Sequence, residues 1–129
     1  MLLLDTCAFL WLMSSPGNMT HAARKRIKES NPLFVSLASI WEIAVKVQAN
    51  KLQLDLPVED WVRRSLLYPH LELLQLSPTL VVFSTQLPGA FHKDPFDRAI
   101  VAAAIRKNLT LVTRDERILR YSAVKSLAC

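Results

Sequence analysis

Apolar residues along this chain gather in short runs, separated by longer stretches with helical spacing. Leu2–Leu4 is a leucine run closed by Asp5, the pattern of a buried strand that ends on an acid. Leu33–Leu37 (LFVSL), Leu71–Leu76 (LELLQL), Leu109–Thr113 (LTLVT) and Ala123–Leu127 are the other strand candidates. Ala8–Met13 continues the first run into a turn or short helix, stopped by SSPGN at Ser14–Asn18. Thr20 is the predicted cap of a basic helix over His21–Ser30, which Asn31-Pro32 ends. Ser39 is the predicted cap of a helix over Ile40–Asn50, apolar at Ile40, Ile43, Ala44 and Val47. Pro57 opens another helix, reaching to about Tyr68, and Pro78 begins a weaker one toward Gln86. Asp94-Pro95 is the clearest start signal, a capping acid followed by proline at the first helical position. That helix runs to about Lys107, and Asp115–Arg120 is short. Apolar strands alternating with helices predict an α/β domain around a mostly parallel sheet.

The length of 129 residues fits one domain, here taken as residues 1–129, with no linker or repeat inside it. Half of the residues are hydrophobic and few are aromatic, so the expected core is aliphatic and needs no staple. Cys7 and Cys129 sit at opposite ends without metal-ligand spacing, which disfavours a disulfide framework or a zinc site. The opening MLLLDTCAFLWLM lacks a basic leader and is interrupted by Asp5, and no run has the length of a membrane span. A cytoplasmic protein with no membrane partner is expected.

Ligands of open parallel α/β sheets bind beyond the carboxyl ends of the strands. Four acids fall at such places. Asp5 closes the first strand, Glu42 lies early in the helix after the second, Asp97 is in the first turn after Asp94-Pro95, and Asp115 follows the fourth strand. Each has a purely structural reading: Asp5 and Asp115 as caps, Glu42 as an i,i+4 partner of Lys46, Asp97 as an acid at a positive helix end. Together they describe a carboxylate cluster, and carboxylates held together repel unless a cation joins them. Oxygen-only ligands suit Mg²⁺ or Mn²⁺.

The segments LLLDTCAFLWL, SLASIWEIAVK, HKDPFDRAIVAAA and LTLVTRDERI, spread from Leu2 to Ile118, resemble PIN-domain ribonucleases of the VapC toxin type. The resemblance implies a three-layer α/β/α sandwich with four or five strands and metal-dependent endonucleolytic hydrolysis of RNA. It maps the catalytic and metal-holding site onto Asp5, Glu42, Asp97 and Asp115. Asp94 becomes a further candidate ligand or merely a cap, and Thr6 and Thr113 become supporting hydroxyls. It also implies a small antitoxin partner that covers the site, and a homodimer.

Net charge is +5, and setting the four site acids aside leaves seven acids against 16 bases. That excess of nine suits a negative pocket inside a positive rim gripping an RNA backbone. Arg98, Arg114 and Arg117, beside the acids, are the rim candidates, and His92 is close enough to join them. Arg24, Lys25, Arg26 and Lys28 are read as a solvated helix face, and His21 and His70 as ordinary surface residues. Trp41, Val45 and Trp61 offer apolar surface for a partner, although core packing is the simpler use. Rival readings are a non-catalytic RNA- or partner-binding module on the same fold, and a DNA-directed nuclease. A haloacid-dehalogenase phosphotransferase is disfavoured because Cys7 stands where its second Asp belongs, and a receiver domain because the paired acids before the first strand's end are missing.

Overall fold

The computed structural model describes residues 1–129. Five strands, β1 (Leu2–Leu4), β2 (Leu33–Ser36), β3 (Leu71–Leu74), β4 (Thr110–Thr113) and β5 (Lys125–Ala128), form one sheet in the order β3-β2-β1-β4-β5. Every pairing is parallel, with Leu2 opposite both Leu33 and Thr110. The expected mostly parallel sheet is therefore wholly parallel. Helices α1 (Thr6–Ser14), α2 (His21–Glu29), α3 (Leu37–Gln48) and α4 (Val58–Ser65) lie on the connections that carry the chain from β1 through β2 to β3. Helices α5 (Pro78–Ser84) and α6 (Pro95–Arg106) carry it back across to β4, and α7 (Glu116–Leu119) on to β5.

Two cores follow from the two-residue period of the strands. Leu2, Leu4, Leu33, Val35 and Val112 pack with Phe9, Ile27, Ile43 and Trp61 from the first four helices. Leu3 and Leu111 point the other way, onto Leu80, Ile100, Val101, Ala104 and Ile118. The small Ala102–Ala104 run lets α6 approach the sheet closely, as its sequence predicts. Three layers result.

The sequence boundaries shift in one place that matters. Ser36, rather than Ser39, caps α3, its hydroxyl accepting from Ala38 N at 3.0 Å. Both serines fit a capping pattern, but β2 ends on Ser36 and turns directly into the helix. The helix thus begins a turn early, and Ser39 is buried in its first turn. Pro57 likewise stands at the cap position of α4, one residue before the helix proper. Thr20, Asp94 and Asp115 cap as expected and Ser77 caps α5, each accepting from a backbone N–H of the second or third residue of its helix.

The two longest helices end on asparagines. Asn50 and Asn108 take left-handed backbone angles (φ 56° and 53°) in a chain that has only two glycines. After α3, Lys51 N reaches Lys46 O at 2.9 Å and Asn50 N reaches Val47 O at 3.1 Å. After α6, Leu109 N reaches Ala104 O at 2.8 Å and Asn108 N reaches Ile105 O at 3.2 Å. Both are Schellman endings, which asparagine serves with little strain. The second delivers the chain straight into β4, fixing where Asp115 will fall.

Trp61 belongs to the core, 4% exposed and edge-on to Phe9 at 5.4 Å. Trp41 and Val45 remain on the surface of α3, Trp41 meeting Phe96 edge-on at 5.1 Å. Lys25, Arg26 and Lys28 are exposed along α2, and His21 and His70 are also exposed. No helix is long and apolar enough to cross a membrane.

Candidate active site

The chain departs from β1 toward one edge of the sheet and from β4 toward the other, so a crevice opens between their carboxyl ends. A cleft of about 450 Å³ lies there, lined by Asp5, Glu42, Asp94, Asp97 and Asp115 together with Thr6, Lys46, Arg114 and Arg117. The topology has thus gathered residues more than a hundred positions apart. Thr113 lies just behind, fully buried.

Asp5 is fixed twice. Its N–H donates to Val112 O at 3.0 Å, extending the ladder from β4, and its Oδ1 accepts from Ala8 N at 2.8 Å as the cap of α1. The same carboxylate lines the cleft. Burial pushes the Asp5 carboxyl up to about 6, with Glu42 and Asp115 adding to the rise and the Thr113 hydroxyl and the Ala8 N–H opposing it. The Thr113 hydroxyl also accepts from Asp115 N at 2.9 Å, tying the ends of β1 and β4 together.

Glu42 is 5% exposed and held on both oxygens. Thr6 donates to Oε1 at 2.5 Å and lies 3.0 Å from Ser39 Oγ, while Lys46 Nζ approaches Oε2 to 2.7 Å. Both readings of Glu42 therefore apply together: it pairs with Lys46 and it faces the cleft. The hydrogen bond to Glu42 raises the Lys46 pKa, with the charges of Glu42, Asp94 and Asp97 acting in the same direction. Ser39 was missed as a member of this network because its alternative role as a cap was the simpler one.

Asp115 is also compensated. Arg117 grips it with Nε at 3.2 Å from Oδ1 and Nη2 at 2.8 Å from Oδ2, and the Arg117 N–H adds a bond of 2.8 Å to Oδ1. These contacts hold the Asp115 pKa below its ordinary value. Asp97 has no such cation. Burial first, and then the charges of Asp94, Glu42, Asp115 and Asp5, together push its carboxyl up to about 7. Asp94 itself spends Oδ1 on Phe96 N and Asp97 N, so its capping role is established.

The four acids thus divide into two neutralised by a nearby base, Glu42 and Asp115, and two without one, buried Asp5 and half-buried Asp97, each raised by burial and by neighbouring carboxylates. His92 adds a nitrogen to this second group. Its Nε2 lies 3.2 Å from Asp97 Oδ2, and single ligand atoms of His92, Asp97 and Asp115 fall within 4.8 Å of one another. Nε2 is buried and makes no properly angled hydrogen bond. Burial and then Arg117 lower the His92 pKa, while its Nδ1 accepts from Asp94 N at 3.4 Å. Sequence spacing alone gave His92 no ligand pattern; its place depends on the path of the loop before α6. Uncompensated carboxylates and a buried nitrogen without a hydrogen bond are what a divalent cation would satisfy, and the donor set fits a hard ion.

Of the three arginines expected at the rim, two border the cleft. Arg114 stands over the Trp11 ring at 4.9 Å, and Arg117 reaches inward to Asp115. Arg98 does not belong to the rim. Its guanidinium donates to Ser84 O (2.8 Å), Phe91 O (3.0 Å) and His92 O (3.2 Å), pinning the loop that carries His92. Adjacency to Asp97 in sequence misled here, since successive helix residues point about 100° apart. Arg98→Ala should cost about 1–3 kcal/mol in urea unfolding, because three carbonyls lose their donor.

A wholly parallel α/β sandwich with carboxylates at its switch point belongs to the class that binds ligands at the carboxyl edge of the sheet. Within that class the chain belongs to the PIN domain family, whose pattern it matches over residues 2–124. It is 32% identical over 116 residues to Ribonuclease VapC22 of Mycobacterium tuberculosis, covering 90% of this chain and 88% of that protein. Its fold is similar to that in VapBC from Salmonella typhimurium bound to DNA (TM-score 0.72, 16% identity, 98% of this chain and 96% of that one). It is equally similar to that in VapBC2 from Rickettsia felis bound to a promoter DNA fragment (TM-score 0.71, 16% identity, 98% and 97%). The α/β/α architecture implied by the sequence resemblance is therefore the one found.

Proposed function

We propose that this protein is a metal-dependent endoribonuclease, the toxin of a toxin–antitoxin pair, acting in the cytoplasm as a single PIN domain over residues 1–129. The ribonuclease activity named for the mycobacterial relative supports the reaction, and the VapBC and toxin–antitoxin neighbours support an antitoxin partner; a homodimer is part of the same reading. The observation that carries the reading is the gathering of Asp5, Glu42, Asp97 and Asp115 in one cleft, with buried Asp5 and half-buried Asp97 lacking a cation of their own.

Asp5 and Asp97 would hold Mg²⁺ or Mn²⁺, with Glu42 and Asp115 completing the oxygen set and Asp94 as a further candidate. The cation, when bound, supplies activation of the attacking water and stabilisation of charge on the scissile phosphate. The chain's own residues set the stage for both. Thr6 and Lys46 fix the two oxygens of Glu42, and Thr113 holds Asp5 and Asp115 in register across the β1–β4 seam. Arg114, exposed at the lip, and Arg117 offer the backbone phosphates their guanidinium groups. An RNA strand reaching the acids passes between these bases, which offset its charge.

Purified protein should cleave single-stranded RNA with Mg²⁺ or Mn²⁺ and lose that activity in EDTA, with recovery on adding excess metal. Equal cleavage with and without chelator would overturn the metal reading. Cleavage of single-stranded DNA at the same rate would turn it into a general nuclease.

A further inference from the structure

Beyond Arg117 the surface does not flatten. A second cleft of about 570 Å³ opens on its far side, lined by Pro88, Gly89, Ala90, Arg117, Arg120 and Ser122 among others. Arg117 lines both clefts, so they are neighbours with one basic residue in common. No acid lines the second cleft.

Its walls are held in place. The Tyr121 hydroxyl donates to Pro88 O, and Arg98 grips the other end of the same loop through Phe91 O and His92 O. Gly89 has φ +67°, and a side chain there would meet nothing within 4 Å, so the backbone borders open space. Arg120 Nε lies 3.9 Å from Glu116 Oε2, too far for a hydrogen bond, and both side chains are more than 70% exposed. That ion pair is long and solvent-exposed, so a phosphate can compete for the guanidinium. Pockets of several hundred Å³ admit a small organic ligand, and a nucleotide is of that order.

We propose that this cleft is a nucleotide subsite, holding a segment of single-stranded RNA that flanks the scissile phosphate, with Arg120 on a backbone phosphate. The inference rests on the ribonuclease reading for its choice of ligand. Guanidinium groups match phosphate oxygens through paired hydrogen bonds. The short side chains of the 88–90 loop leave room for a base beside the backbone. Contacts to phosphate fix the register of a strand without reading its sequence, so the subsite sets how RNA is threaded across the acids. An acidic partner peptide would meet the same two arginines. RNA is favoured because Arg117 also lines the acidic cleft next door, where a peptide carboxylate is repelled and a strand awaiting cleavage must pass.

The test measures binding of a fluorescent single-stranded RNA of about a dozen nucleotides, without added metal, to protein inactivated by Asp5→Asn. On that background Arg120→Ala should weaken binding about 5- to 20-fold and lower the slope of log affinity against log salt by about one. Ser122→Asp, which places an anion in the cleft, should weaken it similarly, and Arg120→Lys should retain part of the affinity. Lys25→Ala, removing one charge from exposed α2, serves as the control and should change affinity less than twofold. Affinities of Arg120→Ala and Ser122→Asp within twofold of the parent would overturn the subsite, even if the protein cleaves RNA. Failure of the unmutated protein to cleave RNA would instead sink the nuclease reading. Arg120-dependent binding would still stand as support for the subsite.

Discussion

Asp5→Asn should remove RNA cleavage by more than about 100-fold, and expression of that variant should no longer arrest growth. The magnitude follows from the position of the residue. Loss of an outer hydrogen-bond partner of a metal site already costs about 10- to 100-fold in affinity or activity. In the proposed site Asp5 would contact the ion directly, so its loss should cost more. The fold should survive, because asparagine keeps an oxygen to accept from Ala8 N and caps helices as well as aspartate does. The strand-end N–H to Val112 O is backbone and is untouched. Asparagine also removes a buried charge whose carboxyl is raised to about 6, so the melting temperature of metal-free protein should not fall. Growth arrest that persisted in Asp5→Asn at matched protein level would point to the non-catalytic module in place of a nuclease.

Much of the fold was legible because each element carries its own signal. Strands such as Leu2–Leu4 and Thr110–Thr113 are short apolar runs, and Asp94-Pro95 announces a helix in two residues. Asp5, Glu42, Asp97 and Asp115 were legible for a related reason: parallel topology alone sends strand ends and helix starts to one edge. What the sequence could not supply was the direction in which side chains leave the backbone. Arg98 and Asp97 are neighbours, yet one turns to the loop and the other to the cleft. Ser36 and Ser39 both suit a cap, and only the abrupt end of β2 decides between them. His92 sits in a loop whose course is set by Arg98 and Tyr121, residues distant from any local pattern. The division of the acids into compensated and uncompensated pairs was equally hidden. It depends on Lys46 and Arg117 folding inward, where their sequence positions would serve a solvent-facing role equally well.

That division makes the effect of Asp97→Asn distinctive: cleavage should vanish while metal-free protein becomes more stable at neutral pH. The unfolded carboxyl ionises near 3.8 and the folded one near 7, raised by burial and then by Asp94, Glu42, Asp115 and Asp5. Below the unfolded value both states are protonated and Asp97 contributes nothing to the pH dependence. As pH rises from about 4 to about 7 the unfolded state loses its proton first, so folding stability falls, and above the folded value the penalty is complete. A gap of this size corresponds to a few kcal/mol at 1.36 kcal/mol per unit. Losing a carboxylate from the first turn of α6 returns roughly 0.3–1 kcal/mol of that. Coupling to the neighbouring acids, Asp94 and Glu42 first, reduces it again, since the cluster shares its repulsion. A net gain of about 1–3 kcal/mol remains, or roughly 4–10 °C in melting temperature for a domain of this length. The gain should shrink toward zero at pH 4, where the parent's own Asp97 is protonated. Mg²⁺ should raise the parent's melting temperature and leave that of Asp97→Asn nearly unchanged, because only a folded state that binds the ion is stabilised by it. An Asp97→Asn protein that melts lower at neutral pH and still cleaves RNA would make Asp97 an ordinary helix-start acid and remove it from the site.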